Sequence, residues 1–136
     1  MGFQGMPAWA VSNPPVEIRT TSFPIADANL SLIEPLSDGD PTARFLDRRG
    51  EGIFSITLLV DGIEELMTHW RRAGVEFVLP APLEMRDVRI VGRQIPWVLE
   101  NWTRPSTLNG VVLELQDHRN ADGSPYVSPQ PAPTRP

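Results

Sequence analysis

The chain has 136 residues, no cysteine, and twelve basic side chains that are all arginine, against seventeen acids for a net charge of −5. These features exclude disulfides, thiolate metal sites and Schiff-base lysine chemistry, and they argue against nucleic acid as the main partner. No stretch approaches the roughly 20 apolar residues of a membrane helix and no basic segment precedes an apolar run, so a soluble cytoplasmic protein of one domain is expected.

The first pieces in chain order are short and β-favouring. Ala8 to Ser12 reads as a small strand in which Trp9 is a core anchor, and Pro14-Pro15 follow. Glu17 to Phe23 alternates and is closed by Pro24. Asn29 to Glu34 is a further strand, with Leu30 and Leu32 on its buried face and Asn29, Ser31 and Ile33 on the other. Asp40-Pro41 caps and starts a short helix with Phe45 and Leu46 inward, ended by Arg48, Arg49 and Gly50.

The stretch from Gly50 to Gly74 carries the strongest signals. Ile53 to Val60 is an apolar strand in which Phe54, Ile56, Leu58 and Val60 form the face that packs on a helix. Ser55 and Thr57 lie on its other face. Asp61 is placed as a helix N-cap with Glu64 three residues on, and Ile63, Leu66, Met67 and Trp70 form one apolar stripe. Gly74 ends that helix.

Four more pieces follow. Val75 to Leu79 reads as an immediate return strand stopped by Pro80 and Pro82. Asp87 to Val91 leads into a turn at Gly92, and Gln94 to Trp102 is broken by Pro96. After the Asn109-Gly110 turn comes Val111 to Gln116, with Val111, Leu113 and Leu115 on one face and Val112, Glu114 and Gln116 on the other. From Ala121 the tail has five prolines in sixteen residues and no periodic pattern.

The expected class is α+β: two βαβββ-like units forming a curved mixed sheet with a concave face. The boundaries are 1–50 for a first unit truncated at its front, 51–117 for a complete unit, and 118–136 for a Pro-rich tail. Ser31, Ser55, Thr57, Glu114 and Gln116 all fall on the polar faces of their strands and are expected to line one cavity, with Trp97, Trp102 and Met85 as its apolar wall. His69 and His118 are expected to be solvated, as are Arg86, Arg89 and Arg93.

The order of these motifs resembles the vicinal oxygen chelate superfamily, which includes glyoxalases and bleomycin-resistance proteins, and most closely its methylmalonyl-CoA epimerase branch. The matching residues are Leu32 to Leu36, Phe45 to Ile56, Val60 to Leu66 and Gly110 to Leu115. The resemblance spans roughly residues 15 to 117. It implies a glyoxalase-like fold and, in the family, a divalent metal with four ligands. Glu114 stands where the family has its last acid, whereas Ser55 and Ser31 stand where two other ligands would be, and the strand for a first histidine is missing. The expectation is therefore no cofactor, with a divalent metal as the less favoured alternative.

The leading functional expectation is a metal-independent isomerase or lyase acting on a small carbonyl or acyl compound. Glu114 is its general base, and Ser31, Ser55, Thr57, Gln116, Trp97 and Trp102 contact the substrate. The alternatives are a non-catalytic ligand-binding protein of the drug-sequestering kind, a partner subunit, and a metal-dependent epimerase with a rebuilt site. An incomplete first unit leaves a sheet edge and an uncovered apolar face, so a homodimer is expected, with a small molecule as the other partner.

Overall fold

The structure is a computed structural model in which residues 9–13 and 16–127 are described, with side chains from residue 17 onward. The chain divides at Phe54/Ser55 into two compact units. Residues 128–136, the last part of the proline-rich tail, lie outside the described residues, as does the side chain of Trp9.

The first unit is an antiparallel sheet of β1 (Trp9–Asn13), β2 (Val16–Ile25) and β3 (Ala28–Pro35), in that order, followed by α1 (Pro41–Arg49). Pro24 does not end β2, because it sits opposite Asn29 close to the β2–β3 turn, where a missing N–H disturbs little of the ladder. The Asp40 carboxylate caps α1 by accepting from Thr42 N at 2.7 Å, and its other oxygen accepts from Glu17 N at 2.9 Å. One buried side chain thereby fixes both the helix start and the approach of β2. Gly50 closes the helix at φ 73°, donating to Leu46 O. Phe45 packs edge-on against Phe54 at 5.4 Å, while Leu46 is exposed rather than inward.

Leu30 and Leu32 are not buried. They are 52% and 58% exposed, because no described element of the first unit covers that face of β3. The alternation that marks them as a packing face is intact, and what it lacks is a partner layer.

The second unit has the order β4 (Ile56–Leu59), α2 (Ile63–Arg72), β5 (Leu83–Ile90), β6 (Arg93–Trp102), a 3-10 turn at Pro105–Thr107, and β7 (Leu113–Arg119). Its sheet runs β4-β7-β6-β5, with β4 parallel to β7 and the remaining pairs antiparallel. Helix α2 covers one face through its stripe: Ile63 and Met67 join Phe77, Leu99 and Leu115 in the core, with Leu66, Trp70 and Trp97 packed around them. Trp70 stacks on Phe77 at 6.4 Å. As an edge strand, β4 is shorter than the apolar run, and Ile56 and Leu58 remain partly exposed.

Three local expectations are corrected. The N-cap of α2 is Gly62, not Asp61, and it sits at φ 72°, where a Cβ would cost about 1–2 kcal/mol. No side chain of its own caps the helix; the Asp117 carboxylate on β7 accepts from Gly62 N at 3.0 Å and Ile63 N at 3.1 Å. Val75 to Leu79 is not a strand but makes a single bridge, Phe77 to Thr103. The buried Asn101 side chain takes over the ladder there, accepting from Leu79 N at 3.2 Å and donating to Leu79 O at 3.1 Å. Finally, Pro96 does not break β6. The distortion falls on Asp87 opposite, which adopts φ 52° and gives its carbonyl to Gln94 Nε2 at 2.6 Å.

The start of the tail folds back, with Tyr126 N donating to His118 O and Arg119 bridging to Pro125.

Candidate functional site

The period of two along β7 places Glu114, Gln116 and His118 on one face and Leu113, Leu115, Asp117 and Arg119 on the other, against α2. Register extends the first face across the sheet: Glu114 lies beside Thr57 and Trp102, Gln116 beside Glu100, and His118 beside Val98. The sheet face away from the helix is therefore a polar strip made from three strands.

The strip is a connected hydrogen-bond network. Glu114 Oε2 accepts from Thr57 Oγ1 at 3.1 Å and, more weakly, from Ser55 Oγ at 3.4 Å. Its Oε1 accepts from Gln116 Nε2 at 2.9 Å. The same amide nitrogen donates to Glu100 Oε1 at 3.3 Å, and Gln116 Oε1 meets His118 Nε2 at 3.1 Å. Glu114, Gln116 and His118 are half-buried and Thr57 is exposed, so the strip is open at its β4 side.

Glu100 was not anticipated from the sequence. It is buried, at 7% exposure, and its carboxyl lies within hydrogen-bonding reach of Glu114. Burial, the hydrogen bond to Glu114 and that group's negative charge together push Glu100 up to about 9, against a smaller opposing effect of Gln116. The shift favours the protonated form of Glu100 at neutral pH. The available signal was its place two residues before Trp102 on a strand already read as facing the cavity. His118, expected to be solvated, is half-buried, and desolvation lowers its pKa against the opposing charge of Asp117. His69 is exposed, as expected.

Trp97 is corrected: it does not wall this site. It pairs with Arg119 across β6 and β7, on the helix-covered face. There Arg86 lies 3.7 Å over its ring and Arg119 5.3 Å from it, so Arg86 is engaged rather than free. Arg119 also donates to Asp117 and Glu64, both at 2.7 Å. The even-numbered residues of β6 face the strip, and 97 is odd. Trp102 is on the Glu114 face as expected, and Met85 follows through its pairing with Val98. Ser31 belongs to the first unit, where its hydroxyl pairs with that of the buried Ser22 at 2.9 Å. A surface hollow of about 420 Å³ beside Arg71, Phe77, Pro80 and Arg104 contains none of these residues.

The donor set of the strip does not fit a divalent metal. Both Glu114 oxygens accept from neutral donors, and hydroxyls are weak ligands beside one carboxylate. Among the described residues no three His, Asp or Glu side chains converge as a metal site.

A β-α-β-β-β unit with this strand order, preceded by a smaller β-rich unit, is a glyoxalase-like fold. Among solved structures, the chain is similar to a hypothetical protein from Bacillus halodurans C-125, with TM-score 0.68, 24% identity, and coverage of 84% of this chain and 75% of that one. It is also similar to a methylmalonyl-CoA epimerase in complex with methylmalonyl-CoA and NH4+, with TM-score 0.67, 22% identity, and coverage of 90% and 81%. A third similar structure is a variant Streptomyces coelicolor methylmalonyl-CoA epimerase in complex with 2-nitronate-propionyl-CoA, with TM-score 0.65, 21% identity, and coverage of 84% and 78%. No protein-family model and no curated protein matches the chain by sequence. Among the described residues, no helix is long and apolar enough to cross a membrane.

Proposed function

We propose that this protein is an isomerase of a small acyl compound in which Glu114 acts, without a metal, as the general base that removes a proton next to a carbonyl. The observation that carries this reading is the setting of Glu114. It is a carboxylate with no cation in contact among the described residues, held in one orientation by Thr57, Ser55 and Gln116 at the open side of the strip. Fixed neutral donors orient a base without neutralising it, and removal of the proton it would accept is the first step of both epimerisation and double-bond migration. Similar structures that hold methylmalonyl-CoA and a nitronate analogue support an acyl thioester as the substrate class. Lyase chemistry shares this step and is the less favoured version.

Trp102 supplies apolar area beside Glu114, and the Ser55 and Thr57 hydroxyls turn to substrate oxygens when Glu114 is protonated. The same reading includes a homodimer, because the exposed Leu30 and Leu32 face and the free edge of β3 are the surfaces a second copy would cover. The test is exchange of the α-proton of methylmalonyl-CoA and other small acyl thioesters in deuterium oxide, followed by NMR. Exchange in the wild type that disappears in Glu114→Gln is the expected result. Tight binding without exchange would replace the isomerase by a sequestering protein.

A further inference from the structure

Along β7 the side chains of Glu114, Gln116 and His118 are joined end to end on one face of the sheet. Gln116 is the middle link. Its amide nitrogen lies 2.9 Å from Glu114 Oε1 and 3.3 Å from Glu100 Oε1, while its amide oxygen lies 3.1 Å from His118 Nε2. The two ends of a primary amide have nearly the same shape, and only their partners tell them apart. The reverse orientation would press the amide oxygen against the Glu114 carboxylate, two acceptors with no hydrogen between them. The nitrogen therefore belongs to the carboxyls and the oxygen to His118. An oxygen here can only accept, so His118 Nε2 carries a hydrogen. The same contact settles the neutral imidazole: its hydrogen is on Nε2 and its Nδ1 is bare. The imidazolium also donates through Nε2, so the contact does not depend on the charge of the ring. The backbone at His118 is held too, paired with Val98 on β6 and accepting from Tyr126 N at 2.9 Å.

We propose that His118 is a positioning residue, whose Nε2–H fixes the Gln116 amide in the one orientation that donates to Glu114 and so aims that carboxylate. This rests on the reading of Glu114 as base and deepens it. Every hydrogen in the set points toward Glu114. From one side the donation runs from His118 to Gln116 and from Gln116 to Oε1; from the other, Thr57 and Ser55 donate to Oε2. Each carboxylate oxygen thus has its own donors, and together they stop rotation about the last bond of the side chain.

Without the Nε2 donor the Gln116 amide is free to turn over. Its oxygen then meets Glu114 Oε1, repels it, and draws Oε2 away from the two hydroxyls. A base displaced by a fraction of an ångström loses its alignment with the C–H bond it must attack, and rate falls steeply with such displacement. Both ends of the Gln116 amide are taken, so its task is to hold Glu114 and not to bind substrate. The loss is therefore expected in kcat, with KM nearly unchanged.

The experiment has two parts on the full chain. Histidine rings labelled with nitrogen-15 are read by NMR at about pH 8, above the ordinary histidine range, and His118→Gln removes and so assigns one of the two rings. A neutral His118 ring with its hydrogen on Nε2 is expected; a hydrogen on Nδ1 overturns the proposal whatever the substrate. Exchange of the methylmalonyl-CoA α-proton is then measured at several substrate concentrations. His118→Phe, which keeps a ring but no donor, should lose about 10-fold in kcat. Gln116→Leu should lose about as much, and adding His118→Phe to it should cost nothing further, because His118 acts through the amide. His118→Gln, whose amide nitrogen falls near the place of Nε2, should restore most of the rate, whereas His118→Asn, whose nitrogen falls nearer Nδ1, should not. Losses that multiply in the double variant, as a general loosening of β7 would give, overturn the proposal. Exchange abolished by Glu114→Gln but undiminished in His118→Phe and Gln116→Leu overturns the positioning role and leaves the base standing. No exchange in the wild type overturns both.

Discussion

The carboxylate of Asp117, near the end of the last strand, accepts the backbone N–H of Ile63 at 3.1 Å and so caps a helix 54 residues earlier in the chain. It also accepts from Gly62 N and from Arg119, and it is almost wholly buried. This side chain ties the last strand to the helix start. Asp117→Ala is expected to cost about 3 kcal/mol, since it orphans two buried N–H groups and a partly buried arginine. Asp61→Ala, at the position the sequence marks as a cap, is expected to stay within about 0.5 kcal/mol of wild type. Urea unfolding of both variants separates the two caps, and equal losses would contradict the assignment.

Glu100 makes stability depend on pH in an unusual direction. Its carboxyl is protonated in the folded protein up to about 9, whereas the unfolded chain ionises it near the ordinary value of about 4.5. Between these values the folded state binds the extra proton, so stability is greatest below about 4.5 and declines as pH rises toward 9. Glu100→Gln removes that decline. The expected outcome is a thermal midpoint that falls from pH 5 to pH 9 in the wild type more steeply than in the variant.

The two tryptophans of β6 are expected to separate by function. Trp102 shares the Glu114 face, whereas Trp97 sits under Arg86 on the helix side. Trp102→Ala should weaken ligand binding by about tenfold or more, read by calorimetry with an acyl-CoA. Trp97→Leu should leave that affinity unchanged and lower stability by about 1–2 kcal/mol, through lost packing and the loss of the Arg86 stack.

For the homodimer, the exposed leucines of β3 give the test. Leu30→Ser combined with Leu32→Ser should convert a dimer into a monomer in light scattering. A wild type that is monomeric at micromolar concentration would remove the dimer from the proposed function.

Much of the fold was legible because it depends on short-range signals. Alternation in Leu113 to Gln116, the stripe of Ile63, Leu66, Met67 and Trp70, and Gly74 after the helix each specify an element within a few residues. The combined order of these pieces also supported the glyoxalase-like fold. The same alternation brought Ser55, Thr57, Glu114 and Gln116 to one place, because side-chain period and strand register are coupled. Where the structure departs from the local pattern, a distant residue replaces a local one. Asn101 substitutes for a strand at Leu79, and Asp87 absorbs the strain of Pro96.

The sequence by itself determined the strand and helix pattern, the acidic balance and the presence of Glu114 on a polar strand face, since composition and periodicity are local properties. Only the tertiary structure decided that Trp97 faces the helix while Glu100 joins Glu114. A strand shows two faces with equal claim to a ligand until its neighbours are fixed. The charge state of a carboxyl is likewise set by the groups packed around it, and those arrive from β6 and β7 together.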